Sequence, residues 1–182
     1  MQFVKTDIEG LVIIEPKVFG DSRGYFFESF NYKRFAENVR EIEFVQDNES
    51  RSSFGVLRGL HFQRPPFDQA KLVRCIEGKV LDVAVDIRKG SPTFGKHVSV
   101  ELSDENKRQF FVPRGFAHGF VVLSKSAIFQ YKVDNWYAPD HDAGIAWDDP
   151  ELDIDWKIDH DSILLSEKDK VLKKLSETEI PF

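Results

Sequence analysis

The stretch KVLDVAVDIR, residues Lys79–Arg88, is the clearest strand in the sequence. Side chains alternate between the two faces of a strand, so its odd and even positions separate. The odd positions after Lys79 are all apolar: Leu81, Val83, Val85 and Ile87. The even positions mix apolar and charged residues: Val80, Asp82, Ala84, Asp86 and Arg88. This pattern predicts a strand with one fully apolar face.

Further short strands are predicted on both sides of this stretch, with turn signals between them. SPTFG at residues 91–95 and DENK at residues 104–107 are typical of turns. Many short strands without alternating long helices indicate an antiparallel sandwich or barrel rather than a parallel α/β fold. The strand patterns fall at Leu11–Ile14, Pro16–Phe19, Phe44–Ser50, His97–Leu102 and Ala127–Val133.

Two short helices are expected beside these strands. Asn31 can cap the first, because an asparagine side chain accepts a hydrogen bond from a free backbone N–H at the start of a helix. The apolar stripe of that helix contains Tyr32, Phe35 and Val39. A C-terminal helix is predicted over Ser166–Leu175, which opens with SEKD and carries an apolar set: Val171, Leu172 and Leu175.

The composition is that of an ordinary globular protein. With 182 residues, 41% of them apolar, the chain is expected to form one domain over residues 1–182. The net charge of -6 disfavours nucleic acid and anionic membranes as partners. Cys75 is the only cysteine, so no intrachain disulfide is possible, and its apolar neighbours predict a buried strand position. The opening residues lack an apolar signal segment and no run could span a bilayer, so a cytoplasmic protein is expected.

The stretch VLRGLHFQRPPFDQAK, residues Val56–Lys71, places Arg58, His61 and Lys71 among strand-forming residues. Polar groups on strand backbone line either a solvated edge or a pocket. Arg58 and His61 are three positions apart, so a regular strand would point them to opposite faces. Both can face one cavity only if Gly59 makes a bulge. A Pro-Pro break then separates this strand from the next.

These residue types suit proton transfer next to a carbonyl group. His61 is a natural general base because histidine titrates near neutrality. Lys71 could stabilise an oxyanion, and Tyr131 could donate a proton. Asp169 could hydrogen-bond one ring nitrogen of His61 and fix its tautomer. Together the four residues suit the enolisation of a ketone.

Simpler interpretations remain open for each residue. A single histidine in a strand is often a packed residue with no catalytic role. Tyr131 lies two positions after Phe129 on the same strand face, where a tyrosine is often part of the core. Asp169 follows Ser166 by three positions, and the two would form a helix capping box. A metal site assembled from several of the 5 histidines is a further alternative, although no ligand spacing supports it.

Two other polar stretches have a functional and a simple interpretation. Arg23 and Glu28 lie in the aromatic stretch GDSRGYFFESF, where a surface turn with a salt bridge is the simplest explanation. Gln46, Asn48 and Ser50 alternate, so their side chains can face one way and read a planar base or hydroxyl groups. A polar edge strand explains the second stretch equally well.

The motifs, taken in order, resemble the dTDP-4-dehydrorhamnose 3,5-epimerase family over nearly the whole chain, from Ile8 to Phe182. The most specific are GLHFQ at Gly59–Gln63, QAKLVR at Gln69–Arg74 and PRGFAHGF at Pro113–Phe120. The resemblance implies a mainly β, cupin-type jelly-roll barrel of antiparallel strands with short peripheral helices. It also implies a homodimer that uses no metal and no organic cofactor.

The implied reaction is epimerisation of dTDP-4-dehydro-6-deoxy-D-glucose at C3 and C5, on either side of the C4 ketone, in dTDP-L-rhamnose synthesis. The resemblance makes His61 the base and Asp169 its partner. Tyr131 would be the acid on the opposite face of the sugar, and Lys71 would support the enolate oxygen. Tyr137 matches the residue that stacks on thymine. The other substrate-contacting positions implied are Arg23, Glu28, Gln46, Asn48, Arg58, His118, Asp142 and Lys168.

Three positions depart from the family pattern. Val133 stands where a small polar or sulfur side chain is usual, Trp136 where a tyrosine is common, and His97 where tryptophan is expected. The first two lie in the segment that would shape the pocket floor, so they bear on which carbon is epimerised. Alternatives to the double epimerase are an epimerase acting at one centre, a non-catalytic cupin that binds nucleotide sugars, and a metal-dependent cupin.

Overall fold

The computed structural model describes residues 1–182 and consists mainly of short β-strands. Its one α-helix, α1, spans Tyr32–Asn38. The strands are β1 (Gln2–Lys5), β2 (Val12–Glu15), β3 (Phe19–Asp21), β4 (Gly24–Phe26), β5 (Gln46–Ser53), β6 (Leu57–Gln63), β7 (Lys71–Glu77), β8 (Lys79–Asp86), β9 (His97–Ser103), β10 (Gln109–Val112), β11 (Phe116–Val122), β12 (Ser126–Val133) and β13 (Asp142–Gly144).

The strands form two main sheets. The first has six strands in the order β1-β2-β10-β7-β12-β5, and the second has five in the order β13-β6-β11-β8-β9. Strands β3 and β4 form a separate hairpin. Neighbouring strands in both main sheets are antiparallel. This arrangement confirms the predicted cupin-type jelly-roll barrel of antiparallel strands.

An apolar cluster fills the space between the two sheets. Val73 on β7 and Phe129 on β12 meet Val80 on β8 and Phe120 on β11 there. Cys75 is buried in the same cluster, as predicted, and burial raises the pKa of its thiol to about 12. A thiol in this state is a packing group rather than a nucleophile. The core therefore joins the two sheets through apolar side chains from both of them.

Strand β8 is buried on both faces. Its predicted apolar face, which includes Leu81 and Val83, packs beneath the C-terminal segment of the chain, where Trp156 is buried. Its other face points into the space between the sheets. Asp82 and Asp86 on that face are both 0% exposed, so the charged residues of the pattern are not in solvent. A carboxylate buried this completely requires a hydrogen-bonding partner.

The first predicted helix is confirmed and the second is wrong. Asn31 caps α1, and its side chain accepts a hydrogen bond from the Arg34 N–H at 3.1 Å. Residues 166–175 contain only short 3-10 turns. Their backbone groups bond elsewhere, because the Lys173 carbonyl accepts from the Ala146 N–H and the Leu175 N–H donates to the Asp149 carboxylate. None of the helices has the length and apolar character needed to cross a membrane.

The β3–β4 hairpin extends into solvent. Its aromatic residues Phe19, Tyr25 and Phe26 are 54%, 59% and 68% exposed. The strand predicted over Pro16–Phe19 is wrong, since β3 begins only at Phe19. Proline has no N–H with which to join a strand ladder, which accounts for the irregular backbone before the hairpin.

Candidate active site

A polar pocket of about 410 Å³ lies between the two sheets. One wall comes from β5, β7 and β12 and the other from β6 and β11, while the turn at residues 166–169 forms part of the rim. The structure thus brings together most of the predicted site from distant parts of the sequence. The predicted site residues that line the pocket are Asn48, Arg58, His61, Lys71, His118, Tyr131, Lys168 and Asp169.

Gly59 lets two of these side chains reach the same cavity. The pairing of β6 with β11 places His118 opposite His61, and the register shifts by one residue before the next pair. Gly59 has a φ of +137°, and a Cβ on it would lie 2.5 Å from the Cα of Gly119. The strand irregularity predicted from parity is therefore confirmed. It explains how Arg58 and His61 both line the pocket.

His61 and Asp169 form a close pair at the pocket wall. The His61 Nε2 atom lies 2.5 Å from Asp169 Oδ1, and Asp169 is only 3% exposed. Burial would raise the pKa of Asp169, but the hydrogen bond and the charge of His61 outweigh it and lower that pKa. An ionised carboxylate only accepts hydrogen bonds, so the proton resides on Nε2. Whenever the ring is neutral, its Nδ1 atom carries a lone pair.

The capping-box interpretation of Asp169 holds at the same time. The Ser166 hydroxyl donates to Asp169 Oδ2 at 2.9 Å, and the Asp169 N–H donates to the Ser166 Oγ at 3.2 Å. The box closes a 3-10 turn rather than an α-helix. One carboxylate thus serves both the turn and the histidine.

Lys71 and Tyr131 project from the six-stranded sheet into the pocket. Burial lowers the pKa of Lys71 to about 8, although attraction to Asp142 and Asp82 opposes this effect. Burial also raises the pKa of the Tyr131 phenol above its ordinary value, while the nearby charge of Arg58 opposes the shift. The phenol therefore keeps its proton at neutral pH and is available as a donor.

Two buried partners of the pocket residues were not found from the sequence. The His118 Nε2 atom lies 2.8 and 2.9 Å from the two oxygens of Asp82. His118 is therefore the hydrogen-bonding partner that the buried carboxylate requires. Arg58 donates through Nε and Nη2 to the Ser52 hydroxyl, at 3.2 Å for each bond. Asp82 could have been found from the sequence, because it is a charged residue in the most apolar strand. Ser52 continues the alternation of polar residues along β5.

Five predicted site residues do not line the pocket of this chain. Gln46 is next to it and donates to Asn48 Oδ1 at 2.8 Å. Asp142 forms a salt bridge with the pocket residue Lys168. Tyr137 is 58% exposed on the loop that leads to β13. The two most distant are Arg23 and Glu28.

Arg23 and Glu28 lie in and just after the exposed hairpin. Arg23 forms a salt bridge with Asp21 at 2.6 Å. The expected salt bridge of the turn is therefore present, but its acidic partner is Asp21 and not Glu28. Glu28 accepts from the Asn31 side chain and lies 3.6 Å from Arg34. Neither residue reaches the cavity of its own chain.

The remaining histidines stay apart from the pocket. His97 lies on β9, and His141 and His160 lie in 3-10 turns. No three side chains of the types His, Cys, Asp and Glu converge as ligands for a metal ion.

The barrel and its pocket define the chain as a cupin-type protein equipped for acid–base chemistry on a small ligand. A histidine hydrogen-bonded to a carboxylate lines the same cavity as a phenol whose pKa is raised. The family described as dTDP-4-dehydrorhamnose 3,5-epimerase matches residues 5–177. The chain belongs to this family. It is accordingly an isomerase acting on carbohydrates, and its reaction is the epimerisation of a dTDP-4-dehydro sugar at C3 and C5.

Relatives match over more than nine tenths of their length. The dTDP-4-dehydrorhamnose 3,5-epimerase of Shigella flexneri is 58% identical over 170 residues, covering 93% of both chains. That of Methanothermobacter thermautotrophicus is 54% identical over 180 residues, covering 98% of this chain and 97% of the relative. A crystal structure of the Legionella pneumophila 3,5-epimerase with dTDP-4-keto-L-rhamnose has a TM-score of 0.94 and 52% identity, covering 98% and 94% of the two chains.

Proposed function

We propose that His61 and Tyr131 invert C3 and C5 of dTDP-4-dehydro-6-deoxy-D-glucose by acting on opposite faces of the sugar. The observation that carries this proposal is their position on different sheets. His61 lies on β6 of the five-stranded sheet and Tyr131 on β12 of the six-stranded sheet, and both line the cavity between them. A sugar ring held in this cavity would present one face to each residue. Removing a proton from one face and returning one to the other inverts the carbon.

Proton abstraction begins at His61. Its Nδ1 atom takes the proton from C3 or C5, and the electron pair of that C–H bond moves toward C4 to form an enolate on the ketone oxygen. Asp169, 2.5 Å from Nε2, stabilises the imidazolium that results. The Lys71 ammonium stabilises the negative oxygen electrostatically.

Proton return completes the inversion from the Tyr131 side. The enolate electrons re-form the C4 carbonyl, and the α-carbon takes the proton of the Tyr131 hydroxyl. The resulting phenolate and the imidazolium are reset by proton exchange with water. The same cycle at the second α-carbon gives dTDP-4-dehydro-L-rhamnose. Because both carbons flank one ketone, a single enolate-stabilising group serves both steps.

The nucleotide part of the substrate is assigned to the rim and the loop beyond it. Arg58 is suited to the diphosphate, because a guanidinium engages phosphate oxygens through two parallel hydrogen bonds. Tyr137 is exposed and free to stack on thymine. The relative from Legionella pneumophila, bound to dTDP-4-keto-L-rhamnose, supports this class of ligand. The remaining proposed contacts are Arg23, Glu28, Gln46, Asn48, Lys71, His118, Asp142 and Lys168.

The functional unit we infer is a homodimer. Arg23 and Glu28 are proposed to contact substrate, yet they lie outside the cavity of their own chain. The hairpin that carries Arg23 exposes Phe19, Tyr25 and Phe26. Aromatic side chains exposed together favour burial against a partner. If a second copy of the chain placed its hairpin at this pocket, Arg23 and Glu28 would reach a substrate and the exposed aromatic side chains would be buried. A single domain over residues 1–182 and a cytoplasmic location remain predictions from the sequence.

The test is proton exchange. Purified protein is incubated with dTDP-4-dehydro-6-deoxy-D-glucose in D₂O without added metal, and the sugar is followed by NMR while a reductase traps the L-lyxo product. Deuterium at both C3 and C5 in the trapped product is expected. Deuterium at one carbon would show a single-centre epimerase and direct attention to Val133 and Trp136. Exchange that appears only after metal addition would favour the metal-dependent alternative.

Two variants assign the roles of base and acid. His61→Ala should abolish exchange at both carbons while leaving the fold intact, as judged by circular dichroism. Tyr131→Phe should lower product formation by about 100-fold or more, while exchange catalysed by His61 continues on the original face. Near-normal exchange in His61→Ala, or near-normal product formation in Tyr131→Phe, would remove that residue from its proposed role.

A further inference from the structure

Ser166 is a pocket-lining residue to which the proposed mechanism gives no part. It lies at the start of the turn that carries Lys168 and Asp169, at the rim of the cavity. The Ser166 carbonyl accepts hydrogen bonds from the N–H groups of Asp169 and Lys170, at 3.1 and 3.2 Å. These bonds fix the backbone of the turn. The Ser166 hydroxyl adds to them by accepting from the same Asp169 N–H, at 3.2 Å.

The proton of the hydroxyl is donated to the carboxylate of Asp169. Asp169 uses Oδ1 for His61 at 2.5 Å and Oδ2 for the Ser166 hydroxyl at 2.9 Å. A carboxylate can rotate about the bond to its Cβ, and each oxygen could otherwise take either position. With one donor on each oxygen, the plane of the carboxylate is set. Since Asp169 in turn orients the ring of His61, the angle at which Nδ1 faces the cavity depends on this chain of bonds.

We infer that Ser166 is a positioning residue of the epimerase, which holds Asp169 so that His61 Nδ1 points at the sugar carbons. This inference rests on the proposed role of His61 as the base. Ser166 touches neither the reacting carbons nor the base. It acts through Asp169, with a hydrogen bond to a charged group, which is stronger than one between neutral groups.

The inference predicts a defect in chemistry rather than in binding. Ser166→Ala should lower kcat by about tenfold, which is the effect expected for one hydrogen bond to a charged group. KM for the nucleotide sugar and Kd for dTDP should change less than about twofold, because uniform binding is retained. Ser166→Thr keeps the hydroxyl and should retain most of the activity. Ser176→Ala, an exposed serine in the same C-terminal segment, is the matched control and should behave as wild type.

A pH profile and a double-mutant cycle separate positioning from a purely structural role. The Ser166 hydrogen bond is one of the causes that lower the pKa of Asp169. Its loss raises that pKa, so the loss of kcat/KM caused by protonation of Asp169 should begin at higher pH than in the wild type. In an Asp169→Asn background, Ser166→Ala should have less than about a twofold further effect, because residues acting as one unit are not additive.

Several outcomes would overturn the inference. They are unchanged kcat and pH profile in Ser166→Ala, equal defects in Ser166→Ala and Ser166→Thr, and an undiminished effect of Ser166→Ala in the Asp169→Asn background. If Ser166→Ala does not fold, Ser166→Cys replaces it, with a smaller loss in kcat expected from the weaker thiol donor. If the wild-type protein does not exchange deuterium, the proposed function itself is contradicted. If the wild type is active and one of the outcomes above is observed, only the role of Ser166 is contradicted.

Discussion

Lys71 is the residue whose charge state is most sensitive to its surroundings. Burial lowers the pKa of this lysine to about 8, with Asp142 and Asp82 attracting its proton and Lys168 repelling it. In the proposed mechanism, the protonated form of Lys71 stabilises the enolate. Because the proton is lost as the pH rises through the folded-state pKa, kcat should fall above about pH 8. The phenol of Tyr131 has a raised pKa and loses its proton only at higher pH.

Substitution of Lys71 tests the source of this alkaline limb. In Lys71→Arg the guanidinium stays protonated throughout the accessible range, so the limb near pH 8 should disappear even though the absolute rate falls. Lys33→Arg, an exposed position on α1, is the control and should keep the wild-type profile. The measurement is kcat between pH 6 and about 10. An alkaline limb that persists unchanged in Lys71→Arg would assign it to another group.

From the sequence, the proposed base, acid and enolate-stabilising residues could be predicted, together with Asp169 as the partner of His61, but the hydrogen-bond partners of His118 and Arg58 could not. His61, Lys71 and Tyr131 were identified because histidine, lysine and tyrosine have chemistry that is visible from residue type alone. Asp82 and Ser52 were missed, because their significance depends on which side chain faces them across the barrel. A hydrogen-bond partner on another strand has no fixed spacing in the sequence.

Gly59 controls how a whole element presents its side chains. Gly59→Ala should destabilise the protein by about 2 to 4 kcal/mol, because the residue combines a positive φ with a Cβ position 2.5 Å from the Gly119 backbone. Gly90→Ala is a control, since Gly90 has a positive φ of +81° but nothing within 4 Å of the added Cβ. It should cost about 1 kcal/mol. Urea unfolding of the two variants measures the difference.

The kinetic consequence of Gly59→Ala follows from the same geometry. Relief of the clash requires β6 to move away from β11, which displaces Arg58 and His61 from the cavity. Activity per folded molecule should therefore fall in Gly59→Ala and remain near wild type in Gly90→Ala. Equal stability of the two variants would show that the close approach to Gly119 is not what makes glycine necessary.

Elements were predictable where a local pattern decides them. Alternation along β8 and β12 and the cap of α1 are local, and the structure confirms them. The predicted helix over Ser166–Leu175 has suitable apolar spacing, but Ala146 and Asp149 take its backbone hydrogen bonds. Competition from a distant partner outweighs local propensity, and nothing within ten residues reveals it.

If the β3–β4 hairpin contributes Arg23 to the pocket of a second copy of the chain, the protein should be active only as a dimer. Arg23→Ala and His61→Ala chains with different tags are co-expressed, and the mixed dimer is purified. If Arg23 reaches the partner's pocket, one site of the mixed dimer has both native residues, and about half of the wild-type activity returns. If Arg23 serves its own chain, neither site is intact and activity stays near that of the single variants. A monomer at working concentration would contradict the dimer itself.

The His61–Asp169 contact also sets the order in which the protein becomes functional during synthesis. His61 is on β6, and its carboxylate partner Asp169 is translated 108 residues later, after every strand of both sheets. The strands of the barrel are therefore made before the His61–Asp169 pair can form. A product terminated between β13 and Asp169 contains every strand but lacks the carboxylate that holds His61.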